Sequence, residues 1–322
     1  VSDFADLARR ALRDSGYSMT AAARAVKYDL AYLSRVLNGK QQPSAKLAEA
    51  LDELVGAGGA LSGVVLNPDD AARVARSADR PSRLDAGTVT ALAGVLAAYR
   101  RLDDVVKPEA VLPATLAQMN EITRLLKGAR GPYRDQLTEV ASEFVQFGGW
   151  MLAQVRDDAQ AVRLLGEALG LADEIGNGTL AAQALNFKGY VARRQGRPQG
   201  IARWFTAAAD TPGAHPAQRL GDILQAAAGW AELGETDRAL RMVETAERLT
   251  DESARVPPPD TAYWLTPTFN RLNLGLATLA LGRYDQAADH LTAGLAGLPE
   301  DLQGAPWSWE HRHALQKAVA AR

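Results

Sequence analysis

The stretch "TAAARAVKYDLAYLSRVLNGKQQPS", residues 20–44, sets a short polar helix between Asp29 and Asn38-Gly39. Asp29 has the side chain of an N-cap, and the glycine supplies the left-handed backbone on which helices commonly stop. Leu33, Val36 and Leu37 share one face at helical spacing, so the helix is anchored on one side and polar on the other. Before it, an alanine-built helix from about residue 19 to 26 permits close approach of a partner. After it, Ser44 caps a helix that buries Leu47, Leu51 and Leu54. Upstream, Phe4, Leu7, Ala8, Ala11 and Leu12 follow helical spacing and Gly16 lies where that helix stops. Two short helices three residues apart, the second with a polar outer face, form a helix-turn-helix.

Charge is divided along the chain in the way such a motif needs. The whole sequence carries 36 basic and 38 acidic residues, but residues 20–47 hold Arg24, Lys27, Arg35, Lys40 and Lys46 against Asp29 alone. Residues 84–322 hold 24 basic and 28 acidic side chains, so only the N-terminal end is suited to phosphate. On the outer face of the second helix of the motif, Leu30, Ala31, Tyr32, Ser34 and Arg35 point where base edges of a major groove would lie, although Tyr32 reads equally as a core edge. Thr20, Asn38 and Lys40 are placed for phosphate oxygens.

With those residues in view, positions 4–56 resemble the helix-turn-helix domain of the XRE family, the class of phage repressors and many bacterial regulators. Ala23 falls at the family's small position, Val26, Leu33 and Val36 at its core positions, and "LSRVLNGKQQPS" resembles its recognition-helix exit. Lys27 departs from the pattern, standing where the family usually has glycine. A left-handed backbone there costs a non-glycine residue roughly 1 kcal/mol, and the lysine gains a reach towards phosphate.

Residues 56–70, "GAGGALSGVVLNPDD", are glycine-rich and end in a turn signal, which reads as a domain boundary. The expected organisation is a helix-turn-helix domain of four to five helices over 1–62, a linker over 63–84 bearing Arg73, Arg76, Arg80 and Arg83, and an all-α domain over 85–322.

The last part repeats. Segments starting at Gly149, Gly189, Ala227 and Gly275 align without gaps. Three carry a glycine turn seven positions on, at Gly196, Gly234 and Gly282. Five further come Ala161, Ile201, Ala239 and Ala287. Leu165, Phe205, Val243 and Leu291 then fill one large position, and Ala168, Ala208, Ala246 and Gly294 one small position. The pattern resembles the tetratricopeptide repeat, with Gly275, Tyr284, Ala287 and Pro299 all on the motif in the last copy. That resemblance implies an α-solenoid over about 135–300, a further helical pair over 85–130, and "WSWEHRHALQKAVAAR" as a cap. "ARVPPPDTAYWLTP" is expected to project as a rigid loop. Trp204, Trp230, Trp264, Trp307 and Trp309 are expected in the core or between helices.

Tetratricopeptide stacks present the first helix of each pair along a concave face. The resemblance places Gln146, Trp150, Gln183, Asn186, Tyr190, Arg193, Gln225 and Asn273 there, a set of amides and one guanidinium suited to an extended peptide or a small anionic effector. The joining of two such modules resembles bacterial peptide-sensing regulators. It implies a ligand-gated transcription factor acting as a homodimer on double-stranded DNA.

Other chemistry finds little support. The sequence has no cysteine, which removes thiolate metal sites and thiol nucleophiles. There is no phosphate-cradling glycine loop. His311 and His313 are two apart and point in different directions on a helix, and His215 and His290 are isolated. Acidic pairs such as Asp103-Asp104 suit helix ends. No enzyme, cofactor or metal is expected. No apolar run approaches bilayer length, so the expected location is the cytoplasm, away from membranes.

Overall fold

The computed structural model describes residues 2–259 and 262–322, and among them it is all-α, with no strand. The helices form two compact units, Val1–Asp157 and Asp158–Arg322.

The first unit opens with α1 (Ser2–Asp14), α2 (Met19–Ala25), α3 (Leu30–Leu37), α4 (Ala45–Val55) and the short α5 (Ala60–Gly63). Local chemistry sets these boundaries. Ser18 Oγ accepts the Ala21 N–H at 3.2 Å, the Asp29 carboxylate accepts the Tyr32 N–H at 2.9 Å, and Ser44 Oγ accepts the Leu47 N–H at 3.2 Å. Each such cap contributes about 1 kcal/mol. At the end of α2 the Tyr28 N–H reaches back to the Ala23 carbonyl at 3.0 Å, which forces Lys27 into the left-handed region at φ 57°. The turn adopts the strained backbone expected from the sequence. Leu7, Leu12, Ala22, Ala23, Leu33, Val36, Leu37, Leu47 and Leu51 are buried together beneath it.

The glycine-rich segment that reads as a boundary is held tightly. Asp52, buried on α4, accepts N–H groups from Gly59 at 2.6 Å, Leu61 at 2.7 Å and Ser62 at 2.9 Å, so its carboxylate caps α5. The expected linker contains α6 (Pro68–Asp79), begun by Asn67, whose side chain accepts the Asp70 N–H at 2.9 Å. Asn-Pro is a helix-start signal, and here it outweighs the turn reading. Ser77 on α6 shares a buried hydrogen bond with Thr88 at 2.9 Å, on α7 (Ala86–Val105). α8 (Pro108–Gly128) and α9 (Arg134–Gln154) complete the unit, and Arg10 donates to the Glu109 carbonyl at 2.6 Å, tying α1 to α8. By contacts the helix-turn-helix and the helices up to α9 fall in one compact unit, which ends at Asp157.

The second unit comprises α10 (Asp158–Glu174), α11 (Gly178–Arg194), α12 (Pro198–Ala209), α13 (Pro216–Glu232), α14 (Thr236–Ser253), α15 (Pro267–Ala280), α16 (Tyr284–Ala296) and α17 (Trp309–Ala320). The repeat positions do what their sizes suggest. Ala161, Ile201, Ala239 and Ala287 are buried, as are Leu165, Phe205, Val243 and Leu291. A Cβ added to Gly189 would meet the Phe205 ring at 2.7 Å, one added to Gly275 would meet Leu291 Cγ at 2.6 Å, and one on Gly294 would meet Leu272 at 2.5 Å. The proline segment is exposed over 254–257 and at Pro259, and is anchored at its far end. His215 Nε2 lies 3.1 Å from the Pro257 carbonyl, Ala262 and Leu265 are buried with Ala217, and Trp264 packs beside Phe187. Asp260 and Thr261 lie outside the described residues. α17 caps the stack, with Ala314 and Ala318 buried against α15 and α16.

These packing differences separate two glycines of similar setting in sequence. Gly170, exposed within α10, has nothing within 4 Å of an added Cβ. Gly170→Ala is expected to raise stability by up to about 1 kcal/mol through helix propensity. Gly275→Ala gains the same propensity but overpacks Leu291, which costs about 1–3 kcal/mol, and is expected to lower stability on balance. Urea unfolding midpoints of the two variants check the signs.

Candidate nucleic-acid interface and inner polar wall

α3 has two unlike faces. Leu33, Val36 and Leu37 are at most 1% exposed, while Leu30 is 43% exposed and Ala31 and Arg35 also face solvent. Thr20, Lys27, Asn38 and Lys40 are exposed around the same helix pair, and Ser34 is half-buried. Arg35 Nε donates to Gln41 at 3.0 Å, and its guanidinium lies 6.0 Å from the Tyr32 ring, so the side chain is partly ordered before any ligand arrives. Asn38 Nδ2 donates to the Ser34 carbonyl at 2.7 Å and closes the end of α3. Tyr32 takes the core-edge role. Its hydroxyl accepts the Ser44 N–H at 3.1 Å and its ring packs on Tyr28, which braces α3 against the start of α4.

The polar residues expected on a concave face do gather on inner faces, but they are largely bonded to neighbouring helices. On α9, Gln146 accepts from Arg100 of α7 at 3.3 Å, and the Trp150 indole donates to Asp103 at 2.7 Å. Asp103 lies buried within α7 instead of capping its end. Burial raises its carboxyl to about 7 against the lowering effect of the Trp150 bond.

In the second unit Asn186, Tyr190 and Arg193 share one face of α11, as i, i+4, i+7 spacing requires. That face is covered by the chain itself. Arg193 makes a two-pronged ion pair with Glu310 of α17, at 3.0 Å from Nε and 2.9 Å from Nη2, and donates from Nη1 to Gln225 of α13 at 2.6 Å. Burial, with the Glu310 charge adding to it, pushes the Tyr190 phenol up to about 12. Asn270 donates to the Ala217 carbonyl at 3.2 Å and lies 3.5 Å from Asn273. Gln183 is buried with its amide nitrogen unpartnered. The expected open groove is thus a closed wall, because in sequence an amide aimed at a ligand and one aimed at the next helix look alike.

The wall also holds a group that periodicity did not single out. Asp222 of α13 is fully buried between Asn186, at 2.5 Å, and Gln218, at 2.9 Å. Burial raises its carboxyl to about 8 in spite of both amides. Both amide N–H groups, of Asn186 and of Gln218, donate to the carboxyl oxygens of Asp222. Other expectations are also corrected. Trp309, expected in the core, is 68% exposed and stacks on His313, while His311 is buried. Among the described residues no cluster of three or more His, Cys, Asp or Glu could hold a metal ion, and no helix is long and apolar enough to cross a membrane.

Because the folded pKa of Asp222 lies above its unfolded value, folding retains a proton that the unfolded chain releases. Its contribution is fully present below about pH 4 and is lost as pH rises through about 8. Asp222→Asn keeps the shape and removes the titration. The variant's stability relative to wild type is expected to improve by on the order of a few kcal/mol between pH 4 and pH 8. Denaturant titrations at several pH values check this, and a difference independent of pH would show that Asp222 is ionised in the fold.

Comparison with known proteins follows the division of the chain. Residues 3–62 match the family model described as a helix-turn-helix domain. No curated protein matches the chain. Among solved structures, the crystal structure of aspartyl phosphate phosphatase F from Bacillus subtilis is similar at 14% identity and a TM-score of 0.44, covering 98% of this chain and 88% of that one. The N-terminal segment is a helix-turn-helix domain, and helical hairpins continue after it to the last helix.

Proposed function

We propose that this protein is a cytoplasmic, sequence-specific DNA-binding transcriptional regulator that acts as a homodimer. The observation that carries the reading is α3: an outer face of exposed Leu30, Ala31 and Arg35 with half-buried Ser34, backed by a face that is almost wholly buried, within a basic stretch of the N-terminal segment. A single helix of this length contacts too few base pairs to select a site. Two copies on a near-palindrome, with half-sites roughly 10 base pairs or a multiple apart, supply the missing specificity.

Gating by an effector is part of the same reading. A regulator needs two arrangements that a ligand distinguishes, and the support for a ligand here is the guanidinium-amide pair Arg193 and Gln225, a geometry that suits a carboxylate. The alternative is an interaction scaffold whose N-terminal helices only dock a partner. A gel shift against DNA upstream of the protein's own gene, followed by footprinting, separates the two. A symmetric footprint supports the regulator, and the absence of any sequence preference supports the scaffold.

Two cations are expected to fail differently on that DNA. Arg35→Ala should cost about 1–3 kcal/mol and relax preference at one base pair, whereas Lys40→Ala should weaken all sequences alike and lower the salt slope by about 1. Equal effects on both measurements would overturn the assignment of Arg35 to bases.

A further inference from the structure

Glu310 and Arg193 are 117 residues apart in sequence and meet on the inner wall of the second unit, with side chains 22% and 18% exposed. Around an arginine whose third donor already points at Gln225, a carboxylate is the natural ligand: planar, acceptor-only and matched to the guanidinium fork. In this structure the carboxylate comes from the chain. We propose that Arg193 and Gln225 form a carboxylate-binding subsite whose resident is the chain's own Glu310, and that α17 is a plug which an acidic peptide ligand displaces. The proposal rests on the regulator reading for its purpose, though not for its geometry.

Three features mark α17 as a seated plug as well as a terminal cap. Besides the apolar contacts of Ala314 and Ala318, its hold includes charge: Glu310 engages Arg193, and Lys317 acts on Glu232 of α13, the residue that also feels Arg193. Burial is the largest influence and would raise the Glu310 carboxyl, yet Arg193 together with His311 and Arg194 outweighs it and holds the group below the ordinary glutamate value, so the resident ligand is an anion at neutral pH. The seat is also imperfect. His311, adjacent to Glu310, is buried with both ring nitrogens unpartnered among the described residues, and its ring rests edge-on against Phe269 and Trp307. An imidazole without hydrogen bonds carries a cost that is relieved when α17 leaves and the ring meets water. Finally, α17 is joined to α16 through two single turns of 3-10 helix, Glu300–Leu302 and Pro306–Ser308, so the two helices are separate elements and one need not unwind with the other.

A peptide carrying a glutamate or aspartate would satisfy Arg193 and Gln225 as Glu310 does, and would leave α17 free. Its differential affinity is for the chain with α17 undocked, which is the condition a ligand must meet to shift an equilibrium.

The test uses the full chain and, as probe, a synthetic peptide of residues 305–322. Glu310→Gln should bind this peptide at least ten-fold more tightly than the wild-type chain does. The same peptide with glutamine at the position of Glu310 should lose at least ten-fold, and glutarate alone should not compete at equal concentration. Hydrogen exchange should show amides of 309–320 opening at least ten-fold faster in Glu310→Gln, with α16 unchanged. Arg193→Glu combined with Glu310→Arg should restore slow exchange, which excludes a general loss of folding. Equal peptide affinity for both chains, or acceleration of α16 along with α17, would overturn the plug and leave a structural brace. Competition by glutarate would overturn the peptide as ligand. Gel shifts on the same preparations keep the two readings apart, since a chain that binds peptide but no DNA refutes the regulator and not the plug.

Discussion

Where Gly189 faces the ring of Phe205 and Gly275 faces Leu291, there is no room for a single added carbon. That constraint fixes how closely the two helices of a pair approach, and the approach fixes everything stacked on them. Because each pair closes on a large side chain from its second helix, the first helices are left to line up with one another. Their facing residues are polar, and polar groups drawn into a shared interior must be paired or remain costly. The bonds from Asn186 to Asp222 and from Arg193 to Gln225 are therefore consequences of a packing rule set on the opposite face of the same helix.

The inner wall that results is unusual in holding titratable groups. Asp222 is kept neutral by burial, while Glu310 is kept charged by Arg193 although burial opposes it. The difference lies in the partner. Amides of Asn186 and Gln218 can pair with either protonation state by turning over, whereas a guanidinium only donates and carries a charge that favours the anion. One carboxyl stabilises the stack in its neutral form, and the other makes a contact that a different anion can imitate.

Much of the first unit was legible in the sequence because its signals are local. Asp29 and Ser44 cap the helices they precede in the chain, and Lys27 takes the left-handed backbone that its place in the turn dictates. The repeats were legible for a related reason: alternating small and large residues at fixed offsets survive variation in loop length. What stayed hidden depends on pairing across long separations. Asp52 looks like a surface residue of α4 until its carboxylate is seen to gather three N–H groups beyond it. The link from Arg193 to Glu310 joins residues 117 positions apart, a separation that no local period records. Trp309 misled because a tryptophan is expected to seek the interior, and on α17 the interior positions are already filled by His311, Ala314 and Ala318.

The Asp52 clamp and the bond from Arg10 to Glu109 tie the helix-turn-helix to the helices that follow it. For a pair of such heads on DNA, one added base pair between half-sites turns the second by roughly 35° and moves it about 3.4 Å. A head on a flexible connector absorbs that change at small cost. For the proposed homodimer, a head held as closely as this would pass the misfit to the duplex as twist or bend, with an energy that depends on the sequence of the spacer. Bases that no side chain touches would then enter the recognition code, through stiffness alone.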